Sequence, residues 1–320
     1  MSILERLFKK IGIIQKINNN MYEKSNSSSN KIIKVSAGRW FTCLIRESGE
    51  ITVYEHINDE LTSPDARDNI KIWNNIENVF IAPDDVNSVG ITKTNDIYCF
   101  DFNNNPLNNI KSKEKIIKGY SSGQGHLFLL ENGNVFSDIT YKHNPILISL
   151  KKKRKELKNI VDIVPTATGS MVALRKDGKC FHIGDEKKDY ENVEKFSDIK
   201  QIAVFSDYVF GITNGGKIVS NLLQYLDDST LSKVKSWESK TIKKIVGGRK
   251  HLLLLFDDGK VDGISECDNY YNELSILNYE NVIDIACGQD HSVVLTSDKK
   301  AHITTNNMDK KYYGGIMEVE

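Results

Sequence analysis

Three of the seven histidines occupy the same place in a recurring segment, and they are the first candidates for chemistry. His126, His251 and His291 each follow a glycine by three residues. A catalytic or metal-binding histidine is needed once in a site, whereas a residue that recurs with a repeat serves the architecture. An imidazole at such a position can hydrogen-bond backbone groups between strands, as buried polar side chains usually do. We therefore predict structural histidines, with no catalytic residue and no metal site.

Paired carboxylates and glycine-rich loops are also common at catalytic sites, but here they do not indicate one. Adjacent aspartates occur at residues 84–85, 227–228 and 257–258. Neighbours on a strand point to opposite faces, so such pairs cannot work as general acid and base. The chain has no G-x-S-x-G elbow, no phosphate-binding loop and no dinucleotide fingerprint. These observations predict that the chain is not an enzyme, needs no cofactor and has no small-molecule substrate.

The cysteines and the charge balance indicate a cytoplasmic protein that does not bind nucleic acid. The five cysteines are scattered without a C-x-x-C pair, at Cys43, Cys99, Cys180, Cys267 and Cys287. This pattern predicts reduced structural thiols. Lys plus Arg and Asp plus Glu both number 43, so the chain has no overall positive field for nucleic acid. The basic run 151–158 lacks an aromatic residue for base stacking, and we predict a solvated loop there.

The elements that must position these residues are seven copies of one strand pattern. In each copy an apolar, β-branched run meets a small polar break, a second apolar run, a tight turn and a third strand. Glycine or asparagine at the turn predicts a two-residue hairpin with positive φ. The turn residues are Gly49, Asn95, Gly133, Gly178, Gly216, Gly259 and Lys299, spaced 38 to 46 residues apart.

A second column of residues stands about eight positions before each turn. It consists of Phe41, Asn87, His126, Ser170, Tyr208, His251 and His291, each followed four residues later by Ile or Leu. Short strands that repeat every 40 residues or so predict small sheets packed around an axis, because closure removes exposed sheet edges. The fold class is therefore all-β, a seven-bladed β-propeller over residues 31–320. We expect residues 311–320 to complete a blade shared with the N-terminal repeat.

The same columns carry a family resemblance. Gly248-Arg249-Lys250-His251, followed by Leu255 and by Asp258-Gly259, is similar to the RCC1 repeat, and so is Gly288-Gln289-Asp290-His291. The Trp-Gly and Gly-Gln-Leu-Gly segments of that family are nearly absent, so the chain is identified as a divergent member. The resemblance implies an RCC1-like propeller. Since the founding member is a guanine nucleotide exchange factor, it also implies an alternative function as an exchange factor or regulator of a small GTPase.

The two variable residues between each glycine and the histidine column predict a partner-binding face. The hairpin does not require large or charged side chains there, and the resemblance implies that these positions look outward from the ring. Arginine and tryptophan are typical interface anchors. The predicted face consists of Arg39, Trp40, Asp85, Gln124, Asp207, Arg249, Lys250, Gln289 and Asp290. The favoured function is a non-enzymatic scaffold for a protein partner of unknown identity, with a small GTPase as one candidate.

Residues 1–30 are predicted to form a basic amphipathic helix, 1–18, and a polar linker. The apolar stripe of the helix consists of Leu4, Leu7, Phe8, Ile11 and Ile14. Such a helix can pack on the propeller, dock on a partner or lie on a membrane surface, and a peripheral membrane adaptor is the second alternative function. No apolar stretch reaches the 18 residues of a membrane-spanning helix, and the first residues do not resemble a signal peptide.

Overall fold

The structure is a computed structural model that describes most of residues 30–320. The described residues are 30–39, 41–55, 70, 73–81, 88–99, 112–122, 125–137, 139, 142–166, 169–185, 188–206, 208–221, 223–266, 272–306 and 313–320. Contacts divide the chain into two units, residues 1–31 and 32–320. The predicted helix 1–18 lies outside the described residues.

Seven antiparallel sheets, here called blades 1 to 7 in chain order, make up the second unit. The strands of blades 1 to 4 are β1 (Ile32–Ala37), β2 (Phe41–Arg46), β3 (Ile51–Glu55); β4 (Ile76–Ile81), β5 (Ser88–Thr92), β6 (Ile97–Cys99); β7 (Ile116–Ser122), β8 (Gly125–Leu130), β9 (Val135–Ser137); β10 (Ile160–Pro165), β11 (Met171–Arg175), β12 (Cys180–Ile183). Those of blades 5 to 7 are β13 (Ile199–Phe205), β14 (Tyr208–Thr213), β15 (Ile218–Ser220); β16 (Ile242–Gly247), β17 (His251–Phe256), β18 (Val261–Ser265); β19 (Val282–Cys287), β20 (Ser292–Thr296), β21 (Ala301–Asn306), β22 (Tyr313–Val319).

The blades form a closed ring. The first strand of each blade contacts the first strand of the next, and β19 of blade 7 contacts β1 of blade 1. The buried apolar residues fall into seven clusters, each shared by two adjacent blades, and one of these joins blade 7 to blade 1. Because the middle strand of a blade packs on both sides, most of its residues are apolar, and every residue of β17 is buried. The prediction of a seven-bladed propeller is therefore confirmed.

The chain end completes a blade, but a different one from the blade predicted. Strand β22 pairs antiparallel with β21, so all four strands of blade 7 come from the C-terminal repeat. The N-terminal repeat keeps its own sheet of β1, β2 and β3. The ring closes by packing of blade 7 on blade 1, assisted by a hydrogen bond from Arg46 Nη2 to the Glu320 carbonyl oxygen (2.8 Å). The prediction of a shared blade is wrong. Side-chain packing between blade 7 and blade 1 already buries the facing surfaces of the two blades, so the joint needs no shared strand.

Short helices occupy several of the connections between strands. They are α1 (Pro145–Lys152), α2 (Asp228–Ser236) and the 3₁₀ helices Lys188–Lys195, Leu223–Tyr225, Trp237–Ser239 and Asn272–Asn278. The Asn144 side chain caps α1 by accepting from the Ile146 backbone N–H (2.8 Å). The basic run 151–158 therefore begins in a helix rather than a loop; most of its charged side chains are exposed, while Leu157 is buried. None of the helices in the described part is long and apolar enough to cross a bilayer.

Four of the cysteines pack inside blades as free thiols: Cys43, Cys99, Cys180 and Cys287. Burial raises the pKa of the Cys43 thiol far above its usual range and that of Cys180 to about 12. A thiol that is not ionised at neutral pH is a poor nucleophile and a poor metal ligand. Cys43 and Cys180 therefore serve as small apolar side chains, and Cys267 lies outside the described residues.

Candidate interaction face and axial collar

Three of the predicted loops meet on one side of the ring. They connect the first and second strands of blades 6, 7 and 1, and we call residues 248–250, 288–290 and 38–39 together the three-loop face. The Arg249 N–H donates to the Gly288 carbonyl oxygen (3.3 Å), and the Gln289 N–H donates to the Gly38 carbonyl oxygen (3.2 Å). Each loop is thus bonded to the next, and the three form one continuous surface.

Glycine is required for this close approach. A Cβ atom on Gly248 would lie 2.1 Å from the Gly288 carbonyl oxygen, and one on Gly288 would lie 2.5 Å from that of Gly38. Both distances are far below van der Waals contact, and the neighbouring atom in each case is backbone. The glycine of the repeat motif therefore permits one blade's loop to rest directly on the next.

The side chains of the three-loop face form a polar network. Arg249 Nη1 donates to Gln289 Oε1 (3.1 Å), and Gln289 Nε2 donates to Asp290 Oδ2 (2.7 Å). Lys250 Nζ pairs with Asp290 Oδ1 at 2.6 Å. Gln289 is buried, Arg249 is exposed, and Arg39, Lys250 and Asp290 are half-buried. The face carries three cations and one carboxylate, and therefore has an excess of positive charge.

The structure brings together five of the predicted face residues: Arg39, Arg249, Lys250, Gln289 and Asp290. Trp40, Asp85, Gln124 and Asp207 lie outside the described residues. The grouping follows from ring closure, because blade 7 becomes a neighbour of blade 1 only when the chain ends meet. Whether a partner uses these residues remains a prediction.

The repeated histidines join blades to one another. His251 Nε2 lies 2.8 Å from Ser292 Oγ of blade 7, and His291 Nε2 lies 3.0 Å from Thr42 Oγ1 of blade 1. All four side chains are buried. The prediction of structural histidines agrees with this placement, but their partners in these two bonds are hydroxyl groups of the next blade rather than backbone groups. Burial lowers the pKa of His251 to about 4, and the nearby Asp290 partly opposes this effect.

A third column of residues, which was not predicted, surrounds the axis. The third residue of each first strand is polar, and we call these seven residues the axial collar: Lys34, Asn78, Lys118, Asp162, Gln201, Lys244 and Asp284. Each follows a β-bulge at the same place in its strand. The signal was present in the sequence, because a polar residue interrupts the apolar run at the same position in all seven copies. A bulge at that point is what turns these side chains toward the axis.

Several bonds of the collar cross from one blade to the next. Lys118 Nζ donates to Asp162 Oδ1 (2.5 Å), and Lys244 Nζ donates to Asp284 Oδ1 (2.6 Å). Lys34 Nζ instead meets a neutral amide, Asn78 Oδ1, at 2.7 Å. The collar lines a central channel of about 700 Å³ that receives residues from the first strand of every blade.

Seven sheets closed around a channel define a seven-bladed β-propeller, with the three-loop face on one side. No family model matches the chain. The structures it resembles include a chain of the complex of Kap60 with yeast RCC1 (Prp20), at 13% identity and a TM-score of 0.39 over 85% of this chain and 69% of that chain. The CRINKLY WD40 ectodomain of the Arabidopsis thaliana receptor kinase ACR4 has 11% identity and a TM-score of 0.49 over 86% and 95%. These scores carry no argument about function, and the assignment to the RCC1 repeat family remains a prediction.

A curated relative corrects one prediction. The chain is 24% identical over 221 residues to the serine protease EspC of Escherichia coli O127:H6 (strain E2348/69 / EPEC), a match that covers 64% of this chain and 15% of that protein. The prediction that the chain is not an enzyme is contradicted by this match, and we withdraw it. It rested on the lack of a sequence motif, whereas catalytic groups are recognised by their geometry and can be distant in sequence.

The described residues include a serine–histidine contact at the joint between blades 6 and 7. Ser292 and His251 are hydrogen-bonded, and Asp290 acts electrostatically on the imidazole. However, Ser292 and His251 are both 0% exposed, and a nucleophile needs access to its substrate. In this conformation the pair links blade 6 to blade 7.

Proposed function

We propose that the protein binds another protein through the three-loop face and holds it on a rigid ring. The observation that carries the proposal is the bonding of three loops from blades 6, 7 and 1 into one surface. A binding site on packed strands and bonded loops loses little conformational freedom when a partner docks. Large polar side chains on such a surface are not required by the hairpins that support them.

The charges of the face favour an acidic partner. Lys250 is already paired with Asp290 at 2.6 Å, so its charge is largely compensated. Arg249 is exposed and hydrogen-bonded to a neutral amide. Arg39 lies on the loop of blade 1, which is bonded to the loop of blade 7, and adds a second guanidinium. Arginine forms bidentate bonds with carboxylates and is enriched at the energetic centres of interfaces.

Charge reversal on the face tests the proposal. A partner captured with the wild-type chain would be purified and its Kd measured by calorimetry against Arg249→Glu and Arg39→Glu. We expect each variant to weaken binding at least tenfold, because a central charge pair contributes more than about 1.4 kcal/mol. Lys217→Glu is the matched control, since Lys217 is an exposed lysine on a hairpin of blade 5, and its Kd should stay within about twofold.

Two results would contradict the proposal. Equal Kd values for the wild type and both arginine variants would place the partner elsewhere on the molecule. Failure to capture any protein that binds the purified chain would remove the scaffold function. Accelerated GDP release from a small GTPase would favour the exchange-factor alternative instead.

A further inference from the structure

The collar of the central channel has one cation that its own residues do not neutralise. Of its three lysines, Lys118 and Lys244 each face an aspartate of the next blade. Among the described residues, Lys34 Nζ donates only to the Asn78 side-chain oxygen (2.7 Å) and the Glu77 carbonyl oxygen (3.0 Å). The Glu77 carboxylate is directed instead to Lys115, at 3.7 Å. Within the part of the chain that the structure describes, the ammonium group of Lys34 therefore has two neutral acceptors and no counter-charge.

The rest of the channel wall is chemically different from the collar. In six of the seven blades the fifth and sixth residues of the first strand line the channel beyond the collar, and most of them are apolar or small; examples are Phe80, Ile81, Val164, Pro165 and Val246. A volume of about 700 Å³ lies within the range of about 300–1,000 Å³ that is typical of small-molecule sites. The collar, which has one excess positive charge, thus lies next to an apolar wall, and the remaining cation of the channel lining, Lys200, is exposed.

We propose that the channel binds a small monocarboxylate with an apolar body, whose carboxylate pairs with Lys34 and whose body packs on the apolar wall. An ammonium group in a partly enclosed site interacts more strongly with an anion than it would in open water. The one excess charge among the collar residues matches a monoanion. Lys34 uses two of its three donor hydrogens within the protein, so one remains for the ligand. This site is independent of the three-loop face.

The substitution Asn78→Asp tests the charge argument with little structural change. It keeps an oxygen acceptor next to Lys34 but supplies the missing carboxylate, so that the collar would contain three lysine–aspartate pairs. The probe is octanoate, titrated into the full chain by calorimetry, with octanamide as the neutral analogue of the same shape. We expect saturable binding of one octanoate per chain to the wild type, and at least tenfold weaker binding of octanamide.

The variants complete the test. Asn78→Asp and Lys34→Gln should each weaken octanoate binding at least tenfold, while Lys217→Gln, which removes an exposed lysine outside the channel, should leave it unchanged. Thermal unfolding of each variant confirms that the ring is intact. Absence of saturable octanoate binding to the wild type, or equal binding to Asn78→Asp, would overturn the proposal. Inorganic phosphate that bound as tightly as octanoate would overturn the requirement for an apolar body.

Discussion

The position of a side chain between blades determines its chemical properties in this propeller. His251 is 0% exposed and hydrogen-bonds through Nε2, while its Nδ1 has no hydrogen-bond partner among the described residues. A second proton on the imidazole would place a positive charge in the interior without full compensation. The pKa of His251 therefore falls to about 4. The imidazole is therefore neutral at physiological pH and acts as a hydrogen-bonding spacer.

This environment predicts a dependence of stability on pH. Above about pH 6.5 His251 is neutral in the folded and unfolded states, and it imposes no penalty. As the pH falls below 6.5, the unfolded chain takes up a proton that the folded chain does not, so the free energy of unfolding decreases until about pH 4, where the folded imidazole also ionises. The difference of the two pKa values corresponds to a loss of about 3 kcal/mol.

Urea denaturation at pH 7.5, 6.0, 5.0 and 4.5 measures this loss. The variant His251→Asn should be less stable at pH 7.5 but should have a shallower slope between pH 6.5 and 4. His302, whose pKa burial also lowers, contributes to the slope in both proteins and cancels in the comparison. Identical slopes for the variant and the wild type would show that His251 does not control this transition.

The sequence predicted the burial of the histidine column but not the collar. A histidine among apolar residues is a conspicuous signal, and its recurrence indicated an architectural role. The collar residues differ in type, since Lys, Asp, Asn and Gln all occur, so only their position in the repeat is shared. Their common function appears only when the strands are arranged around an axis and one residue can reach the next blade.

At the scale of elements, the hairpins follow the predicted turn column but differ in length. All seven turn residues have positive φ, including Asn95 (66°) and Lys299 (72°). Each loop has three residues rather than two: in blade 4, the Gly178 N–H donates to the Arg175 carbonyl oxygen, and the Arg175 N–H donates to that of Lys179. Only the third loop residue needs positive φ, as in a type I turn followed by a bulge. The sequence identified the residue that needs this conformation but not the number of residues before it.

These turns also link neighbouring blades, and a substitution in one of them tests this role. The Gly178 carbonyl oxygen accepts from the Ile199 N–H of blade 5 (3.1 Å), and a Cβ on Gly178 would lie 2.6 Å from that nitrogen. Gly178→Ala therefore combines the strain of a left-handed conformation (φ 80°) with a backbone clash. We expect it to lower the free energy of unfolding by about 2–4 kcal/mol.

Substitutions at two other glycines separate the cost of backbone strain from the cost of the clash. Gly169 has φ 75° but open space around the Cβ position, so Gly169→Ala should cost only about 1–2 kcal/mol. Gly215 lies in a turn with ordinary φ and its nearest contact at 3.9 Å, and Gly215→Ala should be nearly neutral. Denaturant unfolding of the three variants measures their free energies of unfolding and so tests this order. A Gly178 variant as stable as the Gly215 variant would contradict the role of this turn in joining blades.

For the whole molecule, closure is the property on which the face and the collar both depend. The joint between blades 7 and 1 repeats the loop hydrogen bond and the histidine–hydroxyl contact of the joint between blades 6 and 7. The collar residue Asp284 accepts from Lys244 Nζ (2.6 Å) on one side and from the Val35 N–H (3.3 Å) on the other. Each joint also has its own apolar cluster. The ends of the chain are therefore held together by the same packing that joins any two internal blades.

Because the two joints are equivalent, matched substitutions at them should lower the free energy of unfolding by equal amounts. Ser292→Ala removes the hydroxyl that bonds His251 at the joint of blades 6 and 7, and Thr42→Val removes the one that bonds His291 at the joint of blades 7 and 1. Each leaves a buried imidazole without that partner, which costs about 1–3 kcal/mol. If closure is as tight as an internal joint, the two losses in the free energy of unfolding should agree within about 1 kcal/mol.

An exposed serine provides the control, because Ser239→Ala removes only a surface hydroxyl and should be nearly neutral. Hydrogen exchange then locates the effect. Protection of strands β1 and β19 should decrease together in Thr42→Val, since both strands border the joint, whereas Ser292→Ala should affect β16 and β19. A Thr42→Val variant as stable as the wild type, with unchanged exchange in β1, would show that the ring is open where the chain ends meet. In that case the loops of blades 7 and 1 would not form one surface, and the channel would lose the wall that places Lys34 beside it.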